Sequence, residues 1–519
     1  MKKLPIGIQS FTDLRTNGYL YVDKTPVISR MIESGKAFFL SRPRRFGKSL
    51  LISTLEAIFK GESVLFEGLY IYDKRDWTHQ HPVIRIDWTA IKHTTPEEIE
   101  QDMSAFLKSI AQTHGITLSR EYASSRFDEL ITLLHRKTGE KVVVLIDEYD
   151  VPVLDAINRP SEEVSEIRQS LYAFYRVLKA TDEHLQFVFL TGVSKFAGVS
   201  VFSALNNLND ITLNDKYASI CGYTQQELET YFPEYIREVA EYTGMNTEDL
   251  ADNIRTWYNG YSWDGKTTMY NPFSTLMFFE NRQFGAYWFR TGTPTFLIHI
   301  LKKRNRMEPI LHSIRVGENI FDIYDPADIG EIPLLFQAGY LTIKQKELIH
   351  GVPQYTLAVP NSEVNESLLK HLLNAYTDYP FGKEDDLKNT MLHQIQSYNA
   401  EGLARSLRIM LAHVPYELQV KNEAYYHSIF LLWMKLLGFD IQGEVMTNIG
   451  RIDAVWHQPG LTVVAEIKYH TTTSLSSLLR SAIAQIRKQR YYEPYMDRKV
   501  ILLAVAFTGK DVGCRMVSL

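Results

Sequence analysis

The stretch from Ala37 to Phe59, AFFLSRPRRFGKSLLISTLEAIF, constrains the fold more than any other part of the sequence. It begins with an apolar run that predicts a short buried strand, and a basic turn then ends in the sequence GKS. Apolar residues recur at helical spacing directly after the turn, which predicts a helix. Backbone N–H groups at the N-terminus of such a helix attract phosphate oxygens. The stretch therefore predicts a phosphate-binding loop between a strand and a helix.

The turn matches the Walker A phosphate loop except at its first glycine. In that motif the Lys48 ammonium would reach the outer phosphates, and the Ser49 hydroxyl would ligate Mg²⁺. The first glycine of G-x-x-x-x-G-K-[ST] falls at position 42, which is Arg42 here. Because the pattern is incomplete, its assignment depends on the motifs around it. The residues of this loop and helix start that we expect to contact a nucleotide are Arg42, Arg44, Arg45, Phe46, Gly47, Lys48, Ser49 and Leu50.

A second apolar run supplies acidic residues that suit the loop. Lys141–Asp150, KVVVLIDEYD, contains five consecutive apolar residues, which is typical of a strand buried on both faces of a parallel sheet. Its end resembles the Walker B motif, with Asp147 placed to hold Mg²⁺ and Glu148 placed to polarise the attacking water. An ordinary strand end with acidic residues is the alternative. The position of this strand after GKS, in an alternating strand and helix pattern, favours the motif.

A third buried strand is predicted at Leu185–Phe196, LQFVFLTGVSKF. It ends in the polar residues Thr191, Ser194 and Lys195. A polar residue at the tip of the strand beside Walker B can sense the γ-phosphate of a nucleotide. Lys195 is the candidate for this role, and a solvated loop lysine is an equally good interpretation.

The blocks RPRRFGKSL, LIDEYD and LTGVSKF together resemble the bacterial AAA-ATPase-like family of additional-strand P-loop NTPases. That family also has Arg where the first Walker glycine is expected, so the departure at Arg42 is shared. The resemblance covers roughly residues 5–300 and implies ATP and Mg²⁺ as cofactors. We expect an NTPase core at 1–221 and a helical lid at 222–300, whose aromatic residues are interpreted as core.

Residues 301–378 resemble a winged helix. The segment Leu334–Gln345 predicts a helix that ends at Gly339 and is followed by a strand, and the next segment returns as a strand and a helix. Such units bind DNA or act as spacers, and the sequence leaves both roles open.

The remaining segment, 379–519, contains a second acidic constellation. A predicted helix places Glu423 on a face with apolar residues, where a carboxylate needs a charged partner or a metal. Two predicted strands follow it and flank a Gln-Pro-Gly turn. If Pro and Gly are the turn residues, Asp453 directly opposes Glu466, at roughly 5 Å between Cβ atoms. Lys468 shares the face of Glu466, so the sequence predicts a divalent-metal site of oxygen ligands.

Asp453 with Glu466-x-Lys468 resembles the PD-(D/E)XK nuclease superfamily, and more specifically the nuclease domain often fused to this ATPase family. The resemblance implies that Asp453 and Glu466 bind Mg²⁺ and that Glu423 supports the site. It also implies that Lys468 orients or activates the attacking water, while the metal generates the nucleophile and stabilises charge on the phosphate. Surface salt bridges on a hairpin are the alternative interpretation.

A basic helix is predicted over Leu475–Tyr492, after the second strand of this hairpin. Its basic face suits a phosphate backbone although the chain carries a net charge of −5. A solvated basic face is the alternative. The candidate nucleic-acid contacts are Gln485, Arg487, Lys488 and Arg490.

Length and composition set the outer limits. A chain of 519 residues predicts two to four domains. Two cysteines exclude a disulfide scaffold, and the first residues lack a signal-peptide core. We also find no run of about 18 apolar residues. These features predict a cytoplasmic protein with no membrane partner, and they leave a homo-oligomer open.

Combined, these patterns predict an α/β protein: a P-loop NTPase parallel sheet with a helical lid, a small winged-helix-like unit and a C-terminal α/β restriction-endonuclease-like domain. The expected function is an ATPase that controls a Mg²⁺-dependent nuclease acting on nucleic acid; DNA is the expected partner before RNA, and the sequence leaves the choice of substrate open. The alternative is a nucleotide-gated switch or scaffold whose nuclease-like domain only binds nucleic acid or a partner.

Overall fold

The computed structural model describes most of the chain and divides into two compact units. The described residues are 1–157, 159–195, 205, 207–290, 313–321, 330–376, 384–412, 423–439, 441–446, 450–458, 460–508 and 511–519. The first unit comprises Met1–Thr293 and Arg315–Val364, and the second comprises Pro294–Ile314 and Asn365–Leu519.

A five-stranded parallel sheet forms the centre of the first unit. Its strands are β1 (Ala37–Ser41), β2 (Val83–Asp87), β3 (Val142–Asp147), β4 (Leu185–Gly192) and β5 (Asn209–Asp210). They lie in the order β2-β3-β4-β1-β5, and their pairings are parallel. Strand β4 therefore lies between β1 and β3, which puts it beside the Walker B strand. The carboxyl ends of β1, β3 and β4 meet at one edge, where open α/β sheets bind their ligands.

Burial accounts for the composition of the strands. Every residue of β3 is buried, which explains its continuous apolar run. The edge strand β2 instead alternates between buried and half-buried residues. Helix α3 contacts β3. The helices that precede, connect and cover these strands are α1 (Phe11–Thr16), α2 (Thr25–Ser34), α3 (Lys48–Phe59), α4 (Pro96–Thr113), α5 (Ala123–Thr138), α6 (Val151–Ala156) and α7 (Ser161–Ala180).

Short helices follow the sheet in the segment predicted as a lid. They are α8 (Gln225–Tyr231), α9 (Pro233–Thr243), α10 (Thr247–Tyr258), α11 (Pro272–Asn281) and α12 (Tyr287–Arg290). Their aromatic side chains pack mainly against one another: the rings of Phe232 and Phe279, for example, stack with centroids 5.2 Å apart. Most of these aromatic residues belong to one buried cluster, so they form a core, as the sequence predicts.

The segment predicted to be winged-helix-like contains strands and helices in its described part. It consists of β6 (Ile314–Gly317), α13 (Glu331–Gln337), β7 (Thr342–Ile349), β8 (Val352–Ala358) and α14 (Ser362–Tyr376). The strands form a sheet in the order β6-β8-β7. The turn after α13 lies against the phosphate loop, because a Cβ on Gly339 would approach the Pro43 ring to 2.8 Å.

A second five-stranded sheet forms the centre of the second unit, in the order β13-β12-β11-β10-β9. Strands β11 and β12 are parallel and the other pairs are antiparallel. Helix α18 packs on β11 and β12 and ends four residues before the predicted Tyr492. The elements are α15 (Glu384–Gln396), α16 (Ala400–Ala412), α17 (Glu423–Leu436), β9 (Ile441–Met446), β10 (Arg451–Gln458), β11 (Leu461–Tyr469), α18 (Leu475–Lys488), β12 (Lys499–Phe507) and β13 (Val512–Ser518). Across the described parts of both units, no helix has the length and apolar character needed to cross a membrane.

Glu363 binds two helices of the first unit, α11 and α12. It lies in the first turn of α14 and is fully buried. Its Oε1 accepts hydrogen bonds from the Ser274 hydroxyl on α11 (2.9 Å) and from the Trp288 N–H on α12 (2.7 Å). Its Oε2 is buried without a hydrogen-bond partner among the described residues. Burial raises the pKa of the Glu363 carboxyl to about 7, although these donors oppose the shift.

We predict that Glu363 makes the stability of the first unit fall as the pH rises from about 5 to about 7. The folded-state pKa exceeds the unfolded value, so the folded state binds more protons in this window and loses stability as they leave. Glu363→Gln should flatten this dependence by on the order of 2–3 kcal/mol. Thermal unfolding of the full chain across this pH range measures the effect. The exposed Glu241 on α9 provides the control Glu241→Gln, and identical pH profiles for Glu363→Gln and the wild type would contradict the prediction.

Candidate functional sites

The GKS turn forms a phosphate loop between β1 and α3. Gly47 caps α3 with a φ of 94°, a left-handed conformation that favours glycine. Lys48 is buried, and its Nζ donates hydrogen bonds to the carbonyl oxygens of Arg42 (3.1 Å) and Pro43 (3.4 Å). The same Nζ lies 3.3 Å from Glu148 Oε1. The lysine thus spans the loop and reaches the Walker B pair, so the structure brings the two predicted motifs together.

Asp147 offers an oxygen that suits a divalent cation. It is 1% exposed, and its Oδ2 has no hydrogen-bond partner among the described residues. Burial raises the pKa of the Asp147 carboxyl to about 6; the nearby Ser49 hydroxyl opposes this shift, and Glu148 adds to it. Mg²⁺ typically takes one or two protein oxygens and completes its shell with phosphate and water. The pair Ser49 and Asp147 fits that requirement.

Arg42 does not face the nucleotide side of the loop. Its guanidinium is fully buried and donates hydrogen bonds to the carbonyl oxygens of Ser41 (2.8 Å) and Thr212 (2.9 Å). The guanidinium carbon also lies 3.9 Å from the ring centroid of Trp263. These contacts commit the side chain to the interior, so they support an anchoring role for Arg42 instead of the expected nucleotide contact.

The other residues of the phosphate loop and the helix start range from exposed to buried. Arg44 and Arg45 are exposed, and the Arg45 guanidinium lies over the Phe273 ring at 4.7 Å. Phe46 is buried and meets the ring of Tyr261 edge to face at 4.8 Å. Leu50 is half-buried. A narrow apolar cavity lies next to the helix start; its lining includes Tyr21, Val22, Lys24, Phe46, Gly47, Leu50, Cys221, Gly222 and Tyr223.

The Lys195 ammonium pairs with an acidic residue of β5, in a cavity that Pro43 of the phosphate loop also lines. Its Nζ lies 2.9 Å from Asp210 Oδ2 on β5, and its N–H donates to Gln337 Oε1 at 3.2 Å. This ion pair does not support the predicted contact with a γ-phosphate. Asp150, for which the sequence predicts no role, is fully buried and binds the segment after β4. The signal for it was an acidic residue closing an otherwise buried run.

The second site lies where β10 and β11 pair. The observed register places Ala454 opposite Ala465, which is the register that a Pro-Gly turn predicts. The next positions along these strands are Asp453 and Glu466. Asp453 Oδ2 accepts a hydrogen bond from the Ile467 N–H at 2.8 Å. The register thus brings the two predicted metal ligands to one end of the hairpin.

Charges at this site are strongly coupled. Glu466 is fully buried, and its Oε1 lies 2.8 Å from Lys468 Nζ. Burial and the Asp453 carboxylate raise the pKa of Glu466 to about 7. Burial also raises the pKa of Asp453, although the hydrogen bond from the Ile467 N–H opposes this shift. Burial by itself would lower the pKa of Lys468. The hydrogen bond and the charge attraction to Glu466, with smaller contributions from Glu423 and Asp453, outweigh burial, so the net pKa of Lys468 is raised.

These groups fit a metal that takes only part of its shell from protein. Glu466 Oε2 is buried without a hydrogen-bond partner among the described residues. Among all the residues that the structure describes, no group of three or more His, Cys, Asp or Glu side chains is arranged to hold a metal ion by itself. Asp453 and Glu466 would therefore bind Mg²⁺ together with water and substrate oxygens, as Mg²⁺ prefers.

Glu423 corrects one expectation from the sequence. It begins α17 and its side chain is 52% exposed, so it is not a carboxylate buried on an apolar face. The helix N-terminus favours a negative charge there. Its Oε1 lies 3.9 Å from Lys468 Nζ, and its Oε2 accepts a long hydrogen bond from the Tyr469 N–H at 3.4 Å. It can support the site through Lys468.

The predicted nucleic-acid contacts lie on and just after α18. Arg487, Lys488 and Arg490 are exposed, and Gln485 is half-buried. Arg490 pairs with Glu493 at 3.2 Å, which reduces its contribution to a basic surface. The exposed cations on the solvent side of α18 can contact a phosphate backbone.

Both sites belong to known classes. Residues 5–202 match the family described as predicted AAA-ATPase, and residues 421–515 match the PD-(D/E)XK nuclease superfamily. The chain belongs to the family of AAA-ATPase-like proteins that carry a C-terminal PD-(D/E)XK nuclease superfamily domain, which confirms the resemblance found in the sequence. One relative is the "Uncharacterized protein in vnfD 5'region" of Azotobacter chroococcum mcd 1, 39% identical over 518 residues, covering 98% of this chain and 96% of the relative.

We predict that Mg²⁺ or Mn²⁺ stabilises the chain through Asp453 and Glu466. A ligand that binds only the folded state adds about RT ln(1 + [L]/Kd) to stability, or ~1–3 kcal/mol well above Kd. Glu466→Gln should lose most of this gain, because a neutral amide oxygen binds Mg²⁺ more weakly than a carboxylate. Thermal unfolding with and without millimolar metal measures the effect. Glu493→Gln, at an exposed position, is the control; an equal metal response in wild type and Glu466→Gln would refute the prediction.

Proposed function

We propose that the first unit binds and hydrolyses ATP and thereby controls a Mg²⁺-dependent nuclease in the second unit. One observation supports both activities. In each unit a buried carboxylate keeps an oxygen without a hydrogen-bond partner among the described residues, Asp147 Oδ2 and Glu466 Oε2. In each unit a lysine also lies by an acidic group of the same site: Lys48 Nζ is 3.3 Å from Glu148 Oε1, next to Asp147 in the sequence, and Lys468 Nζ is 2.8 Å from Glu466 Oε1. A lysine and a metal-binding carboxylate are groups that can stabilise the charge on a reacting phosphate.

In the proposed ATPase site, different residues would bind the phosphates, the metal ion and the attacking water. Backbone N–H groups at the start of α3 and the Lys48 ammonium would bind the phosphates. Ser49 and Asp147 would hold Mg²⁺, which neutralises phosphate charge. Glu148 would accept a hydrogen bond from the attacking water and orient it. The apolar cavity beside α3 would take the nucleoside.

The nuclease residues follow from the second site. Asp453 and Glu466 would hold Mg²⁺, which activates water and stabilises charge on the phosphate. Lys468 would orient the water, and Glu423 would hold the Lys468 ammonium. The basic residues of α18 would bind the backbone, with DNA as the preferred substrate. We place the activity in the cytoplasm, where the free thiols of Cys221 and Cys514 suit a reducing environment.

A second function, a nucleotide-gated switch that only binds nucleic acid or a partner, has one supporting observation. The phosphate loop is in contact with the elements that follow the sheet. The Trp288 indole N–H donates to the Arg44 carbonyl oxygen at 3.0 Å, and Gly339 packs on Pro43. A change in the loop on nucleotide binding would therefore move these contacts, with or without hydrolysis.

Lys48→Ala should abolish ATP hydrolysis and weaken nucleotide affinity at least about tenfold, because it removes the buried cation that faces the phosphates. Titration with a fluorescent ATP analogue and a phosphate-release assay measure these effects. Lys60→Ala removes a lysine with 44% side-chain exposure and serves as the control. Persistent hydrolysis in Lys48→Ala would reject the phosphate-loop assignment.

Asp453→Ala and Lys468→Ala should each reduce nuclease rates by at least about 10²-fold, because one loses a metal ligand and the other the group that positions water. Cleavage of single- and double-stranded DNA and RNA is measured with Mg²⁺, in the presence and absence of ATP. Asp497→Ala, at an exposed position, is the matched control. Binding without cleavage in the wild type would favour the switch, and cleavage that ignores ATP and Lys48→Ala would reject ATP control.

A further inference from the structure

The residue that closes the LIDEYD motif binds the chain after strand β4. Asp150 is fully buried and stands at the N-cap of α6, but its side chain does not cap that helix. Its Oδ2 instead accepts hydrogen bonds from the N–H groups of Ser194 (2.6 Å) and Val193 (3.1 Å). An N-cap aspartate normally bonds the first turn of its own helix. Here the carboxylate joins the Walker B segment to the end of β4.

Tyr149 makes a second set of contacts with the same segment. Its N–H donates to the Thr191 carbonyl oxygen at 3.0 Å, and its hydroxyl donates to the Ser194 carbonyl oxygen at 2.9 Å. The Tyr149 ring lies against Gly192, where an added Cβ would approach the ring to 2.7 Å and Asp150 Oδ1 more closely still. Gly192 does not have a positive φ. The position therefore needs a glycine for space and not for backbone freedom.

The segment 191–194 is also bound from the phosphate-loop side. The Arg42 N–H donates to the Gly192 carbonyl oxygen at 3.2 Å. The Ser41 hydroxyl donates to the Val193 carbonyl oxygen. The end of β4 thus lies between the two nucleotide motifs and is hydrogen-bonded to both.

Glu148 has an unusual backbone that these contacts can hold. Its φ is 51°, in the left-handed region that residues with a side chain seldom adopt. Such conformations persist when the surrounding structure fixes them. The next two residues, Tyr149 and Asp150, supply that restraint through the segment 191–194.

We propose that Asp150 is a positioning residue for ATP hydrolysis, which rests on the proposed ATPase function. Through Val193 and Ser194 it fixes the Walker B turn and so aims the Glu148 carboxylate at the water. Its loss should leave nucleotide binding intact, because Lys48 and the start of α3 bind the phosphates independently.

The test measures kcat, KM for ATP and the affinity for a fluorescent ATP analogue in the full-length chain. Asp150→Asn replaces Oδ1, which also accepts a hydrogen bond from the Val193 N–H at 3.3 Å, by an amide donor. Its kcat should fall about tenfold, with KM and affinity within about twofold of the wild type. Gly192→Ala should show the same split, because its new methyl group separates Asp150 from the segment. The control is Asp155→Asn, which makes the same chemical change at an exposed position on α6.

The possible results separate the two proposals. A purely structural role would lower the melting temperature without separating kcat from KM, and that result would overturn the proposal. A wild-type kcat in Asp150→Asn would also overturn it while leaving the ATPase function standing. A wild-type chain that binds ATP and never hydrolyses it would overturn the ATPase function, and the positioning role with it. If Asp150→Asn does not fold, Tyr149→Phe removes only the hydroxyl bond to Ser194 and should still reduce kcat about threefold without affecting KM.

Discussion

The phosphate loop is anchored by a buried guanidinium group. Arg42 occupies the position at which the Walker A pattern has a glycine, and its side chain runs into the interior between Trp263 and two backbone carbonyl oxygens. Burial lowers the pKa of Arg42 to about 10, so it remains charged at neutral pH. A buried charge is tolerated only where hydrogen bonds compensate its lost hydration. At position 42 the loop is therefore fixed by the hydrogen bonds and packing of a side chain, while Gly47 provides the left-handed backbone at the helix start.

This anchoring makes the loop part of a larger assembly within the first unit. Trp263 belongs to the helical segment after the sheet, and so do the rings that meet Phe46. The turn at Gly339 adds the winged element on another side. The loop cannot reshape without disturbing the groups packed on it. Nucleotide binding at the loop would therefore disturb its contacts with elements outside the sheet.

The sequence predicted those features that depend on neighbouring residues. The continuous apolar run of β3 identified a central strand. The Pro-Gly turn between β10 and β11 implied the register that brings Asp453 towards Glu466. Features that depend on distant contacts were not accessible. The pairing of Lys195 with Asp210 requires the position of β5, and the burial of Arg42 requires Trp263. Asp150 was missed for the same reason, since its partners lie on another strand. Helical spacing placed Glu423 on an apolar face, but the helix begins at that residue, so its side chain extends beyond the packed turns.

The contact between Lys48 and Glu148 has a consequence for the order of events in the proposed reaction. One ammonium group serves both the loop carbonyl oxygens and the carboxylate that would orient water. It cannot also hold a phosphate without weakening these bonds. A nucleotide that entered the loop would therefore compete with Glu148 for the same cation and would release the carboxylate to bind water. In the proposed reaction, Glu148 would become available as a base only after the substrate had bound Lys48.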